Sequence, residues 1–210
     1  MPSRPVYPKE THHMEASANP EETRPPRRVV FFGDSRADWW RLPALPGFQC
    51  LNAGVPGATA PYLARRFTAM VAPLRPDIVV VQMGVNDLVE LTGGAPERER
   101  LMMGVRAAIA SVVADARALG ARVILTTIFP LARGPYAGRA VQEAIAAINQ
   151  GLASLVAPQV QLLDSAAVLC GPDGYVRDAY ADDEAHLSAA GYQALNAALA
   201  PLLRVAAEQA

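Results

Sequence analysis

The sequence predicts an α/β domain built on a parallel sheet, and three observations carry that reading. From Val29 onward, short β-branched runs alternate with longer stretches of helical period, which is the signature of βαβ units. Those runs are apolar nearly throughout, as strands covered by helices on both faces are. The chain has 210 residues with 51% hydrophobic content, enough for one compact domain whose core needs no disulfide or metal staple.

The elements follow in order. Residues 1–28 carry Pro2, Pro5, Pro8, Pro20, Pro25 and Pro26 among charged and small polar residues, a composition that cannot bury enough apolar area to order itself. It predicts a mobile N-terminal tail ahead of a folded domain over 29–210. Strands are predicted at 29–32, 48–52, 77–83, 122–128 and 160–164, giving five parallel strands. A helix over 59–71 has Pro61 in its first turn, where the missing N–H costs nothing. The next helix places Leu101, Val105, Ile109, Val112 and Ala116 on one stripe and stops at Gly120, a residue suited to a left-handed C-cap. Val141, Ile145, Ile148, Leu152 and Leu155 form the buried face of another. Ser188 caps a last helix with Tyr192, Leu195, Leu199 and Leu202 facing inward.

Composition excludes several classes of function. The formal net charge is -1, so the basic surface of a nucleic-acid binder is missing. Cys50 and Cys170 are too few for a disulfide framework, lie in no metal-ligand spacing, and read as core or near-core thiols. His12 and His13 supply at most two ligands from a polar tail, so neither a metal nor any other cofactor is expected. No stretch reaches the roughly 18 apolar residues of a membrane span, and the N-terminus lacks the apolar core of a secretory signal. The expectation is a soluble, cytoplasmic protein with no integral membrane segment.

The chemistry-bearing residues stand where strands end. In open parallel sheets, ligands bind outside the carboxyl ends of the strands. Gly33-Asp34-Ser35 follows the first strand, Asn52 to Gly57 the second, and Gly84-Val85-Asn86-Asp87 the third. Asp183-Glu184-Ala185-His186 precedes the last helix and holds the only histidine beyond residue 13. A serine hydroxyl is a poor nucleophile until an imidazole takes its proton, and that imidazole needs a carboxylate to fix its tautomer. A serine and a lone histidine in the domain therefore suggest acyl transfer. Asp183 and His186 are three apart, so one tight turn can set carboxylate and imidazole side by side.

These four segments, in this order, resemble the GDSL or SGNH family of serine esterases and lipases, over residues 29 to about 203. The resemblance implies a flavodoxin-like, three-layer α/β/α domain with a five-stranded parallel sheet, and a small-molecule ester as substrate. It implies Ser35 as nucleophile, His186 as general base and then acid, and Asp183 as its orienting carboxylate. The oxyanion hole would comprise the Ser35 and Gly54 backbone N–H groups and the Asn86 side-chain amide. Each residue type suits its role: a glycine admits close backbone approach, and an amide donates without bringing a charge. Asp34 and Asp87 are assigned to structure, accepting backbone N–H bonds. Asp182 and Glu184 are expected to be solvated.

Around the nucleophile, the fourth motif position is Arg36 where the family's namesake has an aliphatic residue. Two readings stand: a structural ion pair with Asp38 or another carboxylate, or a contact with an anionic group of the substrate. Trp39 and Trp40 are candidates for core or cleft wall. With Phe129 they would wall a shallow pocket for a short acyl group, since no segment is long enough for a separate lid.

Rival classes fit less well. Ala37 stands where the nucleophile elbow of an α/β-hydrolase has its final glycine. A phosphate-receiving domain and a P-loop both need a lysine, and Lys9 is the only one in the chain. No dinucleotide-binding glycine pattern follows the first strand. Carbohydrate acetylesterases, thioesterases and lysophospholipases of the same fold remain alternatives. A silent binding module of the fold is disfavoured because Ser35, Asp183 and His186 are all intact.

Overall fold

The structure, a computed structural model, describes residues 25–89 and 94–209. The predicted tail lies outside the described residues except for its last four, and two of those are already in a strand. Five strands, β1 (Arg27–Gly33), β2 (Phe48–Gly54), β3 (Ile78–Gln82), β4 (Arg122–Thr126) and β5 (Val160–Leu163), make one parallel sheet in the order β2-β1-β3-β4-β5. The helices are α1 (Ser35–Asp38), α2 (Ala60–Val71), α3 (Ala95–Ala118), α4 (Arg139–Leu152), α5 (Ser165–Leu169) and α6 (Ala189–Glu208).

Alternation along the strands sorts the two faces of the sheet. Val30, Phe32, Val79, Val81, Val123 and Leu125 point to the side where Leu63 and Phe67 of α2, Ile109 and Val112 of α3, and Ile145 and Ile148 of α4 pack. Val29, Phe31, Ile78, Val80 and Ile124 point to the opposite side, against Tyr192, Leu195, Leu199 and Leu203 of α6. Each fully buried large apolar side chain contributes about 1.5–3 kcal/mol, so both helical layers are held by the same central strands. The result is the expected three-layer α/β/α fold. On α6 the inward residue after Leu199 is Leu203 rather than Leu202, in keeping with the 3.6-residue period.

Local signals set the ends of the elements. Ser188 caps α6 through its hydroxyl, which accepts the Gly191 N–H at 3.3 Å. Strand β4 is shorter than predicted because the chain leaves the ladder early: Asn149 of α4 accepts the Ile128 N–H at 2.7 Å and donates to the Ile128 carbonyl at 2.9 Å. Register then positions the site. Gly33 pairs with Gly54 on one side and Gln82 on the other, so the loops after β1, β2 and β3 leave the sheet at one level. The order of strands reverses at β1, and the crevice beside it is where such folds hold ligands.

Candidate active site

Ser35 opens α1, directly after the chain leaves β1. Asp34 is the N-cap, its Oδ1 accepting the Arg36 N–H at 3.0 Å. That bond fixes the turn and leaves the Ser35 N–H with no partner among the described residues. Close packing beneath it requires glycine twice. A Cβ on Gly33 would overlap the Gln82 carbonyl, and one on Gly54 would overlap the Asp38 backbone. Gly54 therefore admits the close approach of the nucleophile's own turn.

The loop before α6 brings the acid and base to this turn. Asp183 Oδ1 accepts the backbone N–H groups of Ala185 and His186, both at 2.7 Å. Its Oδ2 lies 2.8 Å from His186 Nδ1, and His186 Nε2 lies 3.0 Å from Ser35 Oγ. Desolvation alone would raise the Asp183 pKa, but the His186 ring and the two backbone N–H groups outweigh it and hold the carboxyl below its ordinary value. An acceptor-only carboxylate on Nδ1 calls for a proton on that nitrogen, leaving Nε2 free to accept from the serine. This arrangement can take the proton of Ser35 and hold the resulting imidazolium.

The candidate oxyanion donors differ in availability. Asn86 Nδ2 donates one N–H to the Ala58 carbonyl at 3.0 Å, which orients the amide and leaves its second N–H. The Gly54 N–H is engaged by Asn52 Oδ1 at 2.8 Å, while Asn52 Nδ2 donates at 2.9 Å to the carbonyls of Ala37 and Asp38. Asn52 thus links β2 to the nucleophile turn, a role the sequence reading missed. Its signal was an asparagine two residues before a glycine at a strand end, a common Asx-turn pattern.

Three of the four residues read as substrate contacts lie elsewhere. Arg36 is 1% exposed, Phe129 0% and Trp40 3%. Trp40 packs against Phe31, Phe129 and Tyr192, and its indole N–H donates to Asn196 Oδ1 at 2.8 Å. Neither it nor Phe129 walls a cleft, because each fills the core between the sheet and α6. Arg36 forms no ion pair among the described residues; it donates to the carbonyls of Ala185, Phe129 and Pro130. Trp39 alone of the four faces solvent, 47% exposed and stacked on the His186 ring.

Flanking acids also sort themselves. Asp87 accepts the Ala60 N–H at 2.8 Å, tying the loop after β3 to the start of α2. Asp182 is exposed. Glu184 is not simply solvated: its carboxylate accepts the Ala137 N–H, and its carbonyl accepts the Ala132 N–H at 2.9 Å. Among the described residues, no group of three or more histidine, cysteine, aspartate or glutamate side chains could hold a metal ion, and no helix is long and apolar enough to cross a membrane.

Residues 27–194 match the profile of the GDSL-like lipase/acylhydrolase family. The chain belongs to this family. It is a hydrolase of the esterase and acylhydrolase class, and a serine, an aspartate and a histidine in this relation are typical of GDSL enzymes. No curated protein matches the sequence. Solved structures agree in fold. A protein described as an acylhydrolase from Bacteroides fragilis superposes with a TM-score of 0.68 at 26% identity, covering 97% of this chain and 100% of that one. A GDSL-like lipase from Bacteroides thetaiotaomicron gives 0.65 at 25% identity, over 85% of this chain and 88% of that one. An acetylxylan esterase from Geobacillus stearothermophilus shares the fold at 22% identity, TM-score 0.61, over 87% and 94% of the two chains.

Proposed function

We propose that this GDSL-family hydrolase cleaves carboxylic esters of short acyl chains through an acyl-enzyme on Ser35. The observation that carries the proposal is the unbroken line from Asp183 Oδ2 through His186 to Ser35 Oγ, with links of 2.8 and 3.0 Å. As Oγ attacks the ester carbonyl, His186 Nε2 takes the hydroxyl proton, and Asp183 stabilises the imidazolium. The tetrahedral oxygen is met by the Ser35 N–H and the free N–H of Asn86. The Gly54 N–H joins only by sharing its hydrogen with Asn52 Oδ1. Collapse expels the alcohol, which receives the proton from His186. Water, activated by the same imidazole, then releases the acid and restores Ser35.

The short-chain preference follows from what is left to cover the nucleophile. Trp40 and Phe129 are withdrawn into the core, and Trp39 is the one wall residue of the original four. A groove of about 420 Å³ does exist, but Pro130, Gln142, Ile145, Asn149, Cys170 and Tyr175 line it together with residues that do not include the triad. A short acyl group needs little cover, whereas a long chain left in water forfeits its burial energy. Measured kcat/KM across nitrophenyl esters from acetate to palmitate is expected to peak between acetyl and about hexanoyl. A maximum at decanoyl or beyond would contradict the shallow site.

A further inference from the structure

Among the described residues, Arg36 is the largest side chain that is fully buried. Burying a guanidinium costs several kcal/mol unless its donors are satisfied, yet among the described residues no carboxylate reaches ion-pair distance of it. Its donors go instead to main-chain carbonyls: Nε to Ala185 at 2.6 Å, one terminal nitrogen to Phe129, the other to Pro130 at 3.4 Å. Its own backbone is equally fixed. The N–H donates to Asp34 at 3.0 Å, and the carbonyl accepts the Tyr192 hydroxyl at 2.9 Å.

The two ends of this clamp are the two halves of the site. Arg36 follows Ser35 in the chain, and Ala185 lies inside the turn between Asp183 and His186. Ala185 donates its N–H to Asp183 and gives its carbonyl to Arg36. We infer that Arg36 is a positioning residue: its guanidinium holds the Ala185 carbonyl, and through it the acid–base turn, at a fixed distance from the nucleophile turn. The inference rests on the Ser35, Asp183 and His186 reading above. Only arginine suits the task, because its planar fork serves several acceptors at once, whereas a lysine ammonium on a shorter reach engages fewer.

A residue that merely stabilised the fold would leave the His186 imidazole and kcat untouched in a variant that still folds. The test compares Arg36→Lys and Arg36→Met with the full-length protein, measuring kcat, KM and the NMR signal of the His186 imidazole N–H, with His12 and His13 replaced by glutamine in all samples. Arg36→Lys is expected to lower kcat about 10-fold and Arg36→Met about 100-fold, with KM within about 2-fold, since a misplacement near 1 Å costs on that order. The imidazole N–H signal is expected to broaden or shift in both variants. Wild-type kcat and signal in folded Arg36→Lys and Arg36→Met, or a loss confined to KM, would overturn the inference. Loss of cooperative melting in both variants would assign Arg36 to the fold alone and overturn it too. Ser35→Ala separates the layers: activity there refutes the triad and with it this role, whereas an inert Ser35→Ala beside unperturbed Arg36 variants refutes the role of Arg36 alone.

Discussion

The indole of Trp39 stacks on the imidazole of His186, with ring centroids 4.0 Å apart and planes 23° from parallel. Trp39 is at the C-cap of the nucleophile helix, so the same short turn that supplies Ser35 also covers the base. The contact limits the tilt of the imidazole, and the indole face favours the cation that forms during turnover. Trp39→Ala is expected to lower kcat about 5- to 10-fold, matching the roughly 1 kcal/mol of such contacts. Trp39→Phe should recover most of it. A Trp39→Ala enzyme with unchanged kcat would remove the stack from the account.

Asp183 holds the imidazole on one oxygen and the turn's backbone on the other. An amide in its place presents an N–H where an acceptor is needed and favours the wrong tautomer. Asp183→Asn is therefore expected to fold and to lose about 10³- to 10⁴-fold in kcat, with Asp182→Asn mild because the Asp182 carboxylate has no hydrogen-bond or ion-pair partner among the described residues. Steady-state kinetics on one short ester decide it; equal effects from the two variants would contradict the geometry.

For Asn86, the N–H left over from its bond to Ala58 is the one offered to the tetrahedral oxygen. Asn86→Ala should lower kcat by about 10² to 10³ with little change in KM. An effect confined to KM would mean that the amide binds the ground-state ester instead.

Asp34 gives a prediction about stability rather than rate. Burial raises its pKa from 3.8 to about 6, against the lowering by the Arg36 charge and backbone N–H and with a further push from Asp87. Between those two values the folded chain keeps a proton that the unfolded chain has lost, so this contribution favours folding in acid and disappears as pH rises through about 6. Relative to Asp34→Asn, the wild type is expected to lose about 2 kcal/mol between pH 4 and pH 7. Denaturant unfolding at both pH values measures it. A gap between the two proteins that does not change with pH would place the Asp34 pKa near its ordinary value.

Much of the architecture was legible because local chemistry restricts it. The continuous apolar strands, Pro61 at the start of α2 and the Ser188 cap mark element ends without reference to the rest of the chain. The triad candidates were legible too, since serine after the first strand and a single histidine in the domain leave few combinations. What was not legible depends on backbone groups far away in sequence. The partners of Arg36 are carbonyls of Ala185, Phe129 and Pro130, which any residue type supplies, so the sequence pointed to a carboxylate instead. Trp39 and Trp40 are adjacent and chemically identical; only packing on Phe31 and Tyr192 decides that Trp40 goes inward. The engagement of the Gly54 N–H by Asn52 likewise depends on how the β2 end folds back on α1.

The central claim is that Ser35 is the acylated nucleophile. Labelling of the full-length protein with a fluorophosphonate probe, read as adduct mass with its position mapped by peptide fragmentation, tests it most directly. The account predicts one adduct on Ser35 in the wild type, and neither labelling nor ester turnover in Ser35→Ala. Labelling of Ser35→Ala at the wild-type rate, or an adduct on another residue that abolishes turnover, would contradict it.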